Sequence, residues 1–94
     1  MKPTLLITDD DEEIRSQMKW ALNADYQVAL AEDRAGALEA FGQHHPLVTL
    51  LDLGLPPNPG NPEEGLETLA QLLTLDPLLK VIVITGQSEK KTAL

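Results

Sequence analysis

Three aspartates and one threonine in this 94-residue chain stand where they could act together. Asp9 and Asp10 follow the short apolar segment Leu5-Leu6-Ile7-Thr8. Asp52 stops the run Leu47-Val48-Thr49-Leu50-Leu51, and Thr85 ends Lys80-Val81-Ile82-Val83-Ile84-Thr85, ahead of Gly86. Each of these segments reads as a buried strand, so the polar groups fall at strand carboxyl ends. Carboxylates brought close together raise one another's pKa unless they share a cation, and an all-oxygen set suits a hard divalent ion such as Mg²⁺. An ion held by few protein oxygens keeps positions for water and phosphoryl oxygens, and a carboxylate beside it can attack phosphorus. Asp52 is the best placed acceptor. It ends a strand that reads as buried on both faces, with Asp9 and Asp10 on one neighbouring strand and the Thr85 hydroxyl on the other. Taken singly these residues are ordinary: acids start helices, aspartates end strands, and Thr-Gly makes turns. Their joint placement on successive strand ends points to a site.

The elements that must position them alternate. Helical spacing runs from Asp11 to about Leu22, with Ile14, Met18, Ala21 and Leu22 on one arc and Lys19 late, as the helix dipole favours. Trp20 falls about 120° off that stripe. A turn at Asn23-Ala24-Asp25 leads to a strand over Tyr26–Leu30. Asp33 caps a second helix through Ala35, Leu38 and Phe41, for which Gly42 is the expected end. His44-His45 then reads as a solvated turn before Pro46. Residues 56–62 hold four prolines, a composition only a stiff loop tolerates. Glu63 to about Leu75 is helical, with Leu66, Leu69, Leu72 and Leu73 on one face, and Ser88 can cap a last helix. Strands alternating with crossover helices predict an α/β fold, a doubly wound parallel sheet in one domain, with ligands gathering at the carboxyl edge.

Composition narrows the function. Fifteen acids against seven bases leave a net charge of −8, which argues against direct nucleic-acid binding by this segment. Five of those acids are consecutive, Asp9 to Glu13, so the excess is local. With 43% hydrophobic residues the chain is too apolar for a disordered tail, and its apolar runs are too short to cross a membrane. The lack of cysteine excludes a thiolate metal site or nucleophile and is compatible with the cytoplasm.

The segments Leu5–Asp11, Leu50-Leu51-Asp52-Leu53-Gly54-Leu55-Pro56 and Val81–Gly86, with 43 residues from Asp9 to Asp52 and 33 from Asp52 to Thr85, resemble the receiver domain of bacterial two-component response regulators. The resemblance covers the whole chain. It implies a flavodoxin-like sheet of order 2-1-3-4-5, and Asp52 as the acceptor of a phosphoryl group from a sensor histidine kinase. It further implies Mg²⁺ held by Asp9, Asp10, Asp52 and the backbone carbonyl of Gly54, with Thr85 as a switch hydroxyl. The protein would then be a bacterial, cytoplasmic phosphorylation switch rather than a turnover enzyme. The proline-rich loop and Lys19-Trp20-Ala21-Leu22 resemble regulators associated with the PEP-CTERM exopolysaccharide and protein-sorting system. That implies an NtrC-like ATPase domain and a DNA-binding helix-turn-helix after the receiver, hence a role in transcription.

One departure stands out. The family carries a lysine on a fifth strand, about twenty residues beyond the switch hydroxyl. Lys90 and Lys91 fall too early for that part. Residues 1–94 are therefore expected to form a C-terminally incomplete receiver, lacking the fifth strand and last helix. Its fourth strand would be an open apolar edge through which two copies pair or exchange elements, unless the segment belongs to a longer polypeptide. Two rival readings follow from the same residues. One is a phosphorylation-independent interaction domain. The other is an aspartate-nucleophile phosphatase, although such enzymes place the nucleophile on the first strand.

Overall fold

The computed structural model describes residues 2–84, which form β1 (Thr4–Thr8), α1 (Glu12–Leu22), β2 (Gln27–Ala31), α2 (Arg34–His44), β3 (Val48–Asp52), α3 (Glu63–Leu75) and β4 (Lys80–Ile84). Thr85, Gly86, the helix start at Ser88, and Lys90 and Lys91 lie outside the described residues. The four strands pair in parallel in the order β2-β1-β3-β4. This is the doubly wound parallel sheet expected from the alternation of elements, in the flavodoxin-like order that the resemblance implies.

Chain direction decides which helix lies on which face. The step from β1 to β2 runs one way across the sheet, and the steps from β2 to β3 and from β3 to β4 run the other. Right-handed crossovers therefore send α1 to one face and both α2 and α3 to the opposite one. In keeping with this, α2 packs on α3 as well as on β1 and β2. The alternation of side chains along β1 serves both faces. Leu6 joins Ala31 of β2 and Ala37 and Ala40 of α2 in one apolar cluster, while Leu5 and Ile7, also buried, face the side of α1. A second cluster joins Phe41 of α2 to Leu72 of α3 and to Leu79. Thr49, the one polar residue of the run Leu47–Leu51, is fully buried and donates its hydroxyl hydrogen to the Leu6 carbonyl at 2.8 Å, so the buried polar group is satisfied.

Three local expectations are corrected. The second helix does not end at Gly42 but continues to His44. The residue in the left-handed conformation is His45 (φ 47°), whose N–H donates to the Phe41 carbonyl at 2.9 Å. Pro46 explains the boundary, since a proline there cannot continue the helix and commonly follows such a cap. His44 is thus helical and His45 a cap, both exposed to solvent as expected. On α3 the buried line is Gly65, Thr68 and Leu72, with Leu69 and Leu73 half-buried beside it, while Leu66 is 49% exposed. The cause is how closely the helix sits. A Cβ at position 65 would lie 2.3 Å from the Cα of Leu53, so α3 packs through a position with no side chain and turns Leu66 outward. On α1, Ile14, Met18 and Leu22 are half-buried as expected, but Ala21 is exposed, and Trp20 is 83% exposed.

Candidate functional site

The acidic run after β1 divides into two parts with different work. Asp9 extends the β1 ladder, its N–H donating to the Ala31 carbonyl at 3.1 Å, and its side chain is 2% exposed at the carboxyl edge of the sheet. Asp11 caps α1, its carboxylate accepting from the N–H groups of Glu13 (2.9 Å) and Ile14 (3.3 Å). Glu12 and Glu13 occupy the exposed first turn, where the helix dipole favours negative charge. Only Asp9 and Asp10 of the five therefore face the site. The strand-to-helix turn is held by two further bonds. The Asp11 N–H donates to Asp9 Oδ1 at 2.9 Å, and Arg15 Nη1 donates to the Asp9 carbonyl at 2.6 Å.

Asp52 arrives from the neighbouring strand. It is the last residue of β3 and 5% exposed, and its Oδ1 accepts from the Gly54 N–H at 3.0 Å. The Leu55 N–H closes a tight turn onto the Leu53 carbonyl at 3.0 Å, which fixes buried Gly54 directly beside the carboxylate. One oxygen from each of Asp9, Asp10 and Asp52 lies within 4.8 Å of the others.

Crowding of like charges in a dry place shows in the proton affinities. Burial pushes Asp9 up from 3.8 to about 6. The Asp11 N–H bond opposes that rise, and the charges of Asp52 and Asp10 add to it. Asp10 is also raised, by burial first and by the Asp52 charge second. Among the described residues the one ion pair is Arg34–Glu64, and none of the described basic side chains pairs with the three carboxylates. The guanidinium of Arg15 reaches a backbone carbonyl instead. A hard, all-oxygen, uncompensated donor set of this kind fits a divalent cation such as Mg²⁺.

The structure thus brings together Asp9, Asp10 and Asp52, as the strand-end reading expected, and sets the Gly54 N–H on Asp52, whereas Thr85 lies outside the described residues. Reading the sequence missed Arg15 and the pair Arg34–Glu64. A base in the second turn of a helix that starts with acids was the one available signal for Arg15, since the dipole disfavours it there. Nothing local marks Arg34 and Glu64 as partners.

Known proteins place this arrangement. The chain is 37% identical over 94 residues to the transcriptional regulatory protein KdpE of Mycobacterium tuberculosis, a match covering 96% of this chain and 39% of that protein. It is 32% identical over 88 residues to the chemotaxis protein CheY of Listeria monocytogenes, covering 92% of this chain and 70% of that one. Among solved structures, a CheY-like receiver domain protein from Methanospirillum hungatei superposes with a TM-score of 0.81 at 30% identity, covering 92% of this chain and 66% of that one. NtrX from Brucella abortus superposes with a TM-score of 0.80 at 27% identity, covering 90% of this chain and 19% of that one. The chain thus spans about two-fifths of the KdpE length. The model of the response regulator receiver domain matches residues 5–94, a span that contains all three carboxylates and all of the sheet but Thr4, and the chain belongs to that family.

Proposed function

We propose that the domain is a phosphorylation-switched signalling module in which Asp52 accepts a phosphoryl group from a sensor histidine kinase. The observation that carries this reading is a buried aspartate at the end of a central strand with two further carboxylates within 4.8 Å and, among the described residues, no basic side chain paired with them. In the transfer, an Asp52 carboxylate oxygen forms a bond to phosphorus as the bond from phosphorus to the donor histidine nitrogen breaks. The nitrogen leaves with the electron pair, and Asp52 becomes an acyl phosphate. Mg²⁺, held by Asp9, Asp10, Asp52 and the Gly54 carbonyl, would neutralise the charge that gathers there. The chain's own part is positioning. The Gly54 N–H orients the Asp52 carboxylate, and the Asp11 N–H and Arg15 guanidinium hold Asp9 in place.

Thr85, one residue beyond β4, is the candidate switch hydroxyl, placed by sequence at the strand end next to Asp52. Its attraction to the phosphoryl group would shift an existing equilibrium between two surfaces rather than create a new one. The output would be carried by domains outside this chain, consistent with its covering 39% of KdpE, and the names of relatives favour transcription. Pairing of two copies belongs to the same proposal, as does a cytoplasmic setting. Among the described residues no helix is long and apolar enough to cross a membrane.

The test is incubation of the chain with Mg²⁺ and acetyl phosphate, followed by intact mass, with beryllofluoride as a second probe by NMR. A phosphoryl adduct that needs Mg²⁺ and disappears in Asp52→Asn supports the reading. No adduct, or one that survives Asp52→Asn, overturns it. Equal partner binding by wild type and Asp52→Ala would favour a phosphorylation-independent domain, and multiple turnover of a small phosphomonoester would favour a phosphatase.

A further inference from the structure

The loop that carries Gly54 is braced from outside the acidic site. Residue 65 allows no Cβ, because that atom would lie 2.3 Å from the Cα and 2.5 Å from the carbonyl oxygen of Leu53. The first turn of α3 therefore rests directly on the backbone between Asp52 and Gly54. Any drift of this turn is passed on to Leu53, and from there to the Gly54 N–H that orients Asp52.

What fixes that first turn is unusual. Residues 57–63 are exposed, so the approach to the helix is not packed. The cap residue is Pro62, which makes no side-chain capping bond, and the Asn61 side chain supplies one acceptor, to the Glu63 N–H at 2.7 Å, on the exposed surface. Within the helix the Thr68 hydroxyl donates to the Glu64 carbonyl at 2.8 Å, and among the described residues the one polar side-chain tie from this turn to another element is ionic. Arg34 Nε donates to Glu64 Oε2 at 2.7 Å, joining the residue beside Gly65 to the first residue of α2. Arg34 stands on firm ground. Asp33 caps its helix by accepting from the Gly36 N–H at 2.7 Å, and Ala37 and Ala40 pack the helix on Leu6 and Ala31 of the sheet. A charge-assisted bond from a fixed helix start to a weakly held one transmits position.

We propose that the Arg34–Glu64 pair is a strut that sets the position of Leu53-Gly54, and through it the Asp52 carboxylate and the Gly54 carbonyl. Arg34 and Glu64 are then positioning residues, and the proposal rests on the reading of the acidic site given above. It separates from simple electrostatics by sign. Arg34→Gln removes a positive charge, which by charge alone would tighten Mg²⁺ binding, whereas loss of the strut weakens it. Glu64→Gln weakens it on either account, so Arg34→Gln is the decisive variant.

The experiment measures Mg²⁺ affinity by calorimetry and, in the metal-free chain, hydrogen exchange of the Gly54 amide by NMR. The variants are Arg34→Gln, Glu64→Gln and the swap Arg34→Glu with Glu64→Arg. Each single variant is expected to bind Mg²⁺ about three- to tenfold more weakly, at or below the roughly tenfold lower limit for residues that hydrogen-bond a metal ligand directly, since the strut acts one step further out. Each is also expected to exchange the Gly54 amide faster, with a thermal unfolding midpoint near that of wild type. The swap, with unchanged net charge, is expected to restore most of both. Equal or tighter Mg²⁺ binding by Arg34→Gln, or unchanged Gly54 exchange, would overturn the strut, as would a single variant that no longer folds. If wild type binds no Mg²⁺ and takes no phosphoryl group, the proposed function fails, while the exchange measurement still decides the strut.

Discussion

Asp9 and Asp52, 43 residues apart in sequence, end adjacent parallel strands with carboxylate oxygens within 4.8 Å and exposures of 2% and 5%. Two such groups repel in the metal-free chain, and the arrangement costs stability until a cation is shared. Asp52→Asn keeps an oxygen to accept the Gly54 N–H bond but removes one charge. The metal-free variant is therefore expected to be more stable than wild type, by on the order of 1 kcal/mol at pH 7. In excess Mg²⁺ the order reverses, because wild type gains about 2.7 kcal/mol at a hundredfold excess over its Kd. Urea unfolding with and without Mg²⁺ reads both effects. A variant less stable than wild type in the metal-free state would contradict the repulsion.

The raised Asp9 carboxyl predicts a pH dependence of definite sign. Its folded-state value of about 6 lies above the ordinary 3.8, so its favourable contribution is fully present below 3.8 and is lost as pH rises through about 6. Relative to Asp9→Asn, wild type free of metal should therefore lose stability between pH 4 and pH 7. Protons and Mg²⁺ compete for the same oxygens, so Mg²⁺ affinity should fall about tenfold from pH 7 to pH 5 for one such proton. Calorimetric titration across that range checks it, and a flat profile would remove Asp9 from the metal set.

Gly65→Ala tests how closely α3 meets the loop after Asp52. A methyl 2.3 Å from the Leu53 Cα cannot be accommodated without moving backbone, because the obstacle is main chain and not the end of a side chain. The expected cost is about 2–3 kcal/mol in urea unfolding, with weaker Mg²⁺ binding in the molecules that remain folded. A change under about 0.5 kcal/mol, the size of an ordinary surface substitution, would show that the contact is looser.

Sequence alone showed the strands and their acidic ends because both signals are local: an apolar run, then an aspartate. The partners those residues meet are not local. Thr49 stands out as the polar residue in an apolar strand, but its acceptor, the Leu6 carbonyl, follows only from the β1–β3 register. The leucines of α3 suggested a buried face on the assumption that apolar residues mark the contact. The helix instead meets the loop at Gly65 and buries Thr68 on the same line, residues that add nothing to an apolar pattern. Arg34 and Glu64 are 30 residues apart on different helices, and no pattern within either helix pairs them. The end of α2 was misplaced for another reason. Gly42 and Pro46 are both termination signals, and the proline prevails because it forbids continuation, whereas a glycine only weakens the helix.

That competition yields a prediction with opposite signs for the two possible helix ends. Gly42 lies within α2, and nothing would come within 4 Å of a Cβ placed there. Gly42→Ala should therefore stabilise the chain by about 0.5–1 kcal/mol, the difference between the two residues in a helix interior. His45 holds φ at 47°, a conformation that favours glycine, so His45→Gly should also be stabilising, by no more than about 1 kcal/mol. Its exposed ring gives up only an edge-on contact with Phe41 at 6.4 Å between centroids. Had the left-handed residue been Gly42, alanine there would strain the cap and glycine at 45 would loosen an ordinary turn, so both substitutions would lower stability. Urea midpoints of the two single variants distinguish the cases, and a gain from both places the end of the helix at His44, with His45 as its cap.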